Sequence, residues 1–362
     1  MLPLLQEHFH NPSSPYPAAE AVADQVGIAR GRVARLIGAR RPSEIVFTSG
    51  GSESIHAAFY GAREHLAKQP RVVTSSVEHS AVKAAVARAA ASPMQHSCIQ
   101  VDSSGILDRS ALFAAIEDGC GLVSLMLANN ETGVLTDLEG IGAACRSAGA
   151  LFHVDLVQGP GKLPLSVEDI GCDLASIAGH KFHGPKGIGA LFVRHGVQTQ
   201  AWLTGGPQEH ERRAGTENTP AIVGMGVAAE IATGRAKDPA ALLRLRQLRD
   251  DFESELLAAL PDTMINGGEA ARVPNTSNLH FPGSDASLLL ALLADAGIQA
   301  SAGSACNADS RAPSPVLLAM GLNPEQALAS LRFSLSHETT RDEIQLALTS
   351  LVEASRTLAG LR

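Results

Sequence analysis

The chain has 362 residues, of which 45% are hydrophobic and 18% charged, the balance of a soluble globular protein long enough for two domains sharing a large core. Its formal net charge of −8 gives no basic field to draw nucleic acid or an anionic membrane, and no apolar run reaches the roughly 20 residues of a membrane span. The opening Met1-Leu2-Pro3-Leu4-Leu5-Gln6-Glu7 lacks the regions of a signal peptide, and five cysteines without a Cys-x-x-Cys pair argue against disulfides or zinc and for a reducing, cytoplasmic setting.

From about residue 43 to 193, short apolar or β-branched runs alternate with helix-like stretches. Residues 44–48, 71–74, 122–128, 150–154, 174–177 and 189–193 read as buried strands, and the Ala-rich segments 80–91 and 138–148 as amphipathic helices between them. Near-continuous apolar strands alternating with helices predict an α/β fold with a mostly parallel sheet covered on both faces. A long helix is expected over about 238–260. Beyond it the runs 277–281, 287–293, 298–301 and 331–335 suggest a smaller α+β domain. It closes with a helix that starts at the capping box Thr340-Arg341-Asp342-Glu343 and buries Ile344, Leu348 and Leu351.

The residues that could carry chemistry lie mostly at the ends of these strands. Thr48-Ser49-Gly50-Gly51-Ser52-Glu53-Ser54 leads from a strand into a helix, where glycine amides, the helix N-terminus and the Ser52 hydroxyl can meet a phosphate. Alone, such a turn is usually only a turn. Glu78-His79 also follows a strand; a lone histidine there is more often a helix-start residue than a catalytic one, but an imidazole stacked on a cofactor ring would suit both packing and proton transfer. Asn129-Asn130-Glu131-Thr132-Gly133 follows another and reads as a polar turn.

Phe152-His153-Val154-Asp155 ends an apolar strand in a carboxylate that is costly to bury without a partner, and Gln158 lies three residues on. Ser176-Ile177-Ala178-Gly179-His180-Lys181 ends the next strand in a lysine followed by a glycine-rich turn. A lysine amine able to form a Schiff base and an aspartate able to hold a pyridinium proton are the pair that pyridoxal-5'-phosphate (PLP) chemistry requires. Arg212-Arg213-Ala214-Gly215-Thr216 is a basic loop that could supply a second phosphate contact. Residues 301–310 lack bulky apolar side chains and read as a mobile, solvent-facing loop, so Cys306 within it is not core packing. Arg332 could hold a substrate carboxylate as a bidentate fork, or serve as a sheet-edge ion pair.

This ordered set resembles the NifS/IscS-type cysteine desulfurases, fold-type I PLP-dependent transferases of the class V aminotransferase group. The matching motifs run from Asn11-Pro12-Ser13-Ser14 through Gly179-His180-Lys181 and Arg213-Ala214-Gly215-Thr216-Glu217-Asn218 to Gly303-Ser304-Ala305-Cys306 and Arg332-Phe333-Ser334-Leu335. The resemblance implies a large PLP-binding domain over residues 11–237 with a mainly parallel seven-stranded sheet. It also implies a small α+β domain over 238–362, joined by 1–10, that carries the cysteine loop.

By position, Lys181 would carry the cofactor, His79 would stack on its ring, Asp155 would pair with the ring nitrogen and Gln158 with the phenolic oxygen. Gly51, Ser52 and His180 would hold the phosphate, and Thr216 would reach it from the partner subunit of a homodimer. Asn130 would lie beside cofactor and substrate, Arg332 would bind the substrate carboxylate, and Cys306 would accept sulfur from L-cysteine and pass it to an acceptor protein.

Two departures stand out. Ala178 occupies a position where the family carries serine, which removes one phosphate hydroxyl. The Asp-Asn-Ala-Thr-Thr-like segment that walls the family's substrate pocket does not precede Asn11, a difference that touches turnover more than PLP binding. Two further readings fit the same residues: a PLP-dependent lyase or aminotransferase acting on another amino acid, and a PLP-binding sulfur-transfer scaffold with impaired turnover. Iron–sulfur assembly, tRNA thiolation and DNA phosphorothioation all remain open as destinations of the sulfur.

Overall fold

A computed structural model of the protein describes residues 1–89, 94–303 and 312–360. The chain divides into two units, one made of residues 1–99, 109–127 and 137–237, the other of 100–108, 128–136 and 238–362. The first unit runs α1 (Leu2–Gln6), α2 (Pro17–Leu36), β1 (Ile45–Thr48), α3 (Gly51–Gly61), α4 (Arg63–Lys68), β2 (Arg71–Ser75), α5 (Ser80–Ala89) and β3 (Gln95–Ile99). It continues with α6 (Arg109–Glu117), β4 (Leu122–Met126), α7 (Ile141–Ala148), β5 (Leu151–Asp155), α8 (Val167–Ile170), β6 (Leu174–Ala178), β7 (Gly189–Val193) and α9 (Thr219–Ala236).

These strands form one seven-stranded sheet in the order β1-β7-β6-β5-β4-β2-β3. Neighbours from β3 to β6 pair parallel, while β7 is antiparallel to both β6 and β1. Every residue of β4, β5, β6 and β7 is buried, which is why they read as unbroken apolar runs. Strand β3 went unexpected because it is an edge strand of mostly polar residues, with only Ile99 buried. On one face, Ile55 and Phe59 of α3 and Val82 and Val86 of α5 pack with Val72, Leu122 and Leu174. Helices α2 and α9 come so close that a Cβ on Gly226 would lie 2.6 Å from the Ala29 Cα, so the residue at that crossing must be glycine.

The first ten residues, grouped above with the C-terminal domain, lie in the first unit. The reason is packing: Leu4 of α1 is buried, and Met1 reaches the surface of α9 beside Gly224.

The second unit holds α10 (Pro239–Ala259), β8 (Met264–Ile265), β9 (Thr276–His280), α11 (Ala286–Asp295), α12 (Pro315–Ala319), α13 (Pro324–Leu328), β10 (Ser330–Ser334) and α14 (Arg341–Gly360). An antiparallel sheet β10-β9-β8 shares its core with α10, α11 and α14 through Phe252, Leu289, Leu331, Leu348 and Leu351. The capping box at the start of α14 forms as its sequence predicts: Thr340 N–H donates to Glu343 Oε2 at 2.8 Å and Glu343 N–H to Thr340 Oγ1 at 3.2 Å. The run 287–293 lies within helix α11, and 298–301 contributes only a bridge from Ser301 to Arg332. Among the described residues, no helix is long and apolar enough to cross a membrane.

Candidate active site

Parallel strands β2, β4, β5 and β6 bring their C-terminal ends to one edge of the sheet, the place where open α/β sheets collect ligands. Register orders the groups there: Met126 of β4 lies opposite Asp155 of β5, which lies opposite Ser176 of β6. Asp155 is the last residue of β5, and Lys181 sits in the 3₁₀ turn Gly179–Phe182 that follows β6. The turn at 49–52 arrives at the same edge from β1, which is aligned with β6 through β7.

Asp155 is buried, and its carboxylate accepts the Val157 amide at 2.9 Å. Burial pushes its pKa up, while the Val157 amide and the charges of His79 and Lys181 pull the other way. A cationic N–H donor compensates such a carboxylate, and a protonated pyridine ring is one. Gln158 Oε1 accepts from Lys162 Nζ at 2.5 Å. Because lysine only donates, this bond settles which end of the amide faces Lys162 and leaves the NH2 end for an acceptor such as a phenolic oxygen. His79 Nδ1 accepts the Ala81 N–H at 3.1 Å at the start of α5, so the neutral ring carries its proton on Nε2.

The turn ahead of α3 is tight. A Cβ on Gly189 of β7 would come 2.7 Å from Gly50 Cα, and one on Gly51 would lie 3.0 Å from Val157 Cγ2. The first backbone amides of this 11-residue helix have no intrahelical acceptor, the arrangement that suits an anion. Ser54 stiffens it by bonding Thr48 Oγ1 at 2.7 Å and the Gly50 carbonyl at 3.1 Å, while Ser52 stays exposed. His180 is exposed too; partial burial, then the Lys181 and Lys186 charges, hold its pKa below the usual value. The exposed Thr216 lies on a loop tied to α3 by an Arg213–Glu53 ion pair at 2.9 Å. Burial pushes Glu53 up, but hydrogen bonds from Arg213 and Ser49 hold it below the ordinary glutamate value. An open cleft of about 430 Å³ runs from Ser52 and Glu53 past Trp202 to Arg213.

Asn130 and Arg332 belong to the second unit, where they meet: Arg332 Nη1 donates to the Asn130 carbonyl at 2.7 Å. One arm of the guanidinium is thus committed to the backbone rather than held for a bidentate fork. Asn130 Oδ1 is buried without a hydrogen-bond partner among the described residues, and so suits a donor on a bound molecule. Cys306 lies outside the described residues. Two groups at the strand edge escaped the sequence reading. Glu78 was passed over beside its histidine neighbour. Trp202 stands 5.5 Å from the Tyr60 ring with the Arg88 guanidinium 4.9 Å above it, and its only signal was being the chain's sole tryptophan.

The seven-stranded sheet with its smaller companion unit is the fold-type I architecture of PLP-dependent transferases. The chain matches the family described as aminotransferase class-V over residues 2–347. It is 43% identical to cysteine desulfurase 2 of Trichormus variabilis over 348 residues, 96% of this chain and 86% of that one. A solved NifS-like protein superposes with a TM-score of 0.89 at 32% identity, covering 97% of this chain and 93% of the other. A structure described as SspA in complex with cysteine gives a TM-score of 0.80 at 32% identity, with coverages of 93% and 94%. The chain belongs to the aminotransferase class-V family. It is a PLP-dependent enzyme, and its activity is that of a cysteine desulfurase.

Proposed function

We propose that the enzyme moves the sulfur of L-cysteine onto Cys306 as a persulfide, releases L-alanine, and then delivers the sulfur to an acceptor protein. The observation that carries this reading is the buried Asp155 at the strand edge, on which the charges of His79 and Lys181 act, in an environment that a cationic ring N–H would complete. PLP bound at Lys181 supplies the electron sink for chemistry at the substrate Cα.

The chain's own groups do the rest. Asp155 holds the proton on the ring nitrogen, and the Gln158 amide donates to the phenolic oxygen. The amides at Gly51 and Ser52, with His180, hold the phosphate, and Thr216 adds a hydroxyl across a homodimer interface. Arg332 and Asn130 bind the substrate, with the carboxylate on the guanidinium. The Lys181 amine moves the Cα proton. His79 would stack on the ring and exchange a proton with a thiol through Nε2. The Cys306 thiolate attacks the substrate sulfur; the new S–S bond forms as the C–S bond breaks, and the thiol proton ends on the carbon fragment. One cysteine and one thiol therefore become one alanine and one persulfide.

We place this reaction in the cytoplasm, and the acceptor in iron–sulfur assembly, tRNA thiolation or DNA phosphorothioation. The test is Cys306→Ala, which should keep the yellow Lys181-bound cofactor and cysteine binding while forming no persulfide. Sulfide release from that variant at the parent rate would discard Cys306. Failure of borohydride to fix the cofactor on Lys181 would discard the site.

A further inference from the structure

Glu78 is 2% exposed in the turn between β2 and α5. Its Oε1 accepts two hydrogen bonds, from Ser75 Oγ at 2.6 Å and from the Met126 amide at 3.1 Å. Met126 is the β4 residue in register with Asp155. Oε2 is buried and has no hydrogen-bond partner among the described residues. Two buried carboxyl groups thus lie past the end of β2 and at the end of β5, on either side of β4, close enough for the Asp155 charge to act on Glu78, and two buried negative charges together are far costlier than one. Asp155 has His79 and Lys181 facing it and ionises first. Since Oε1 already accepts two donors, the proton that remains sits on Oε2.

We propose that Glu78 is a positioning residue that keeps a proton while Asp155 stands as a bare anion and gives it up when a ring cation pairs with Asp155. The inference rests on Asp155 being the partner of the cofactor's ring nitrogen. Burial first, and then the Asp155 charge, raise Glu78 to about 8, against the pull of its hydrogen bonds. Pairing Asp155 with a cation cancels the second of these causes, so the Glu78 pKa falls and its proton passes to the buffer. The other titratable groups around it are His79 next in the chain, Cys98 on β3, whose thiol burial also raises, and Lys83 on α5, which acts on Cys98.

Two measurements on the full-length protein test this. The infrared spectrum of the cofactor-free protein at pH 7 should contain a carboxylic-acid carbonyl band that disappears above pH 9 and is missing from Glu78→Gln. Calorimetry of PLP binding in two buffers of different ionisation heat, at pH 8, should show wild type releasing more protons than Glu78→Gln, which keeps the shape but cannot ionise. Equal proton release by the two proteins, or no acid band at pH 7, overturns the proposal. Asp155→Asn is the reference: with the Asp155 charge gone, the infrared acid band of the cofactor-free protein should disappear at a lower pH than in wild type. If it binds PLP as tightly as wild type, the ring-nitrogen reading fails instead, and the infrared band of Glu78 remains to tell the two failures apart.

Discussion

His153 lies fully buried in the middle of β5, and burial lowers its pKa to about 3, so the ring is neutral at physiological pH. It bonds Ser124 Oγ on β4 at 2.8 Å and Ser176 Oγ on β6 at 2.9 Å, joining three strands just before Asp155. In the unfolded chain the same ring takes a proton near its ordinary value of 6.5. The unfolded state therefore binds more protons across that window, and stability falls as pH drops from 6.5 toward 3. Glu78 has the opposite sign: its folded value is raised from 4.5 to about 8, so it costs the cofactor-free protein stability as pH rises through that range. Replacing His153 by Phe leaves two buried hydroxyls unsatisfied, and urea unfolding at pH 7 should show a loss on the order of 3 kcal/mol. The same variant should lose stability less steeply below pH 6.5 than wild type. Unchanged stability at pH 7 would mean that the ring does not bolt these strands together.

Helix packing sets the next scale. At the α2–α9 crossing there is no room for a methyl group against the Ala29 backbone, and backbone cannot swing aside as a flexible side chain would. Gly226→Ala should therefore destabilise by about 3 kcal/mol in chemical denaturation despite alanine's better helix propensity. A neutral or stabilising result would show that the helices slide apart freely. Elements of this kind explain what was readable beforehand. Strands buried on both faces announce themselves as apolar runs, and the Thr340–Glu343 box is a local signal for α14. The position of Lys181, Asp155 and the Gly50-Gly51 turn at strand ends was legible because such residues have little structural use there. Strand β3 was not, since edge position rather than composition makes it a strand. Nor was the anchoring of the loop before α9, where Glu209 meets Arg30 across 179 positions at 2.6 Å. Glu78 stayed hidden for the same reason: its neighbours Met126 and Asp155 are brought to it only by the sheet.

For the molecule as a whole, the thiol inventory matters as much as the fold. Cys120 and Cys172 are buried and raised by burial to about 11 and about 12, and Cys98 and Cys145 are raised as well. At neutral pH these four are poor nucleophiles and poor sulfur acceptors. After a single turnover with L-cysteine, mass spectrometry should find one extra sulfur per chain, on the peptide holding Cys306. Sulfur on Cys98 instead would reassign the acceptor.

The quiet interior around β5 carries a consequence for what the protein admits. With the imidazole of His153 unprotonated and, on the proposal above, Glu78 holding its hydrogen in the cofactor-free protein, the buried Asp155 carboxylate is the negative pole that an incoming ring cation meets. A vitamin analogue whose ring nitrogen is exchanged for carbon has the same outline but offers that pole nothing, and should bind at least tenfold more weakly, in line with roughly 1.5–3 kcal/mol for a charged hydrogen bond. Admission to the pocket is thereby decided by basicity more than by shape.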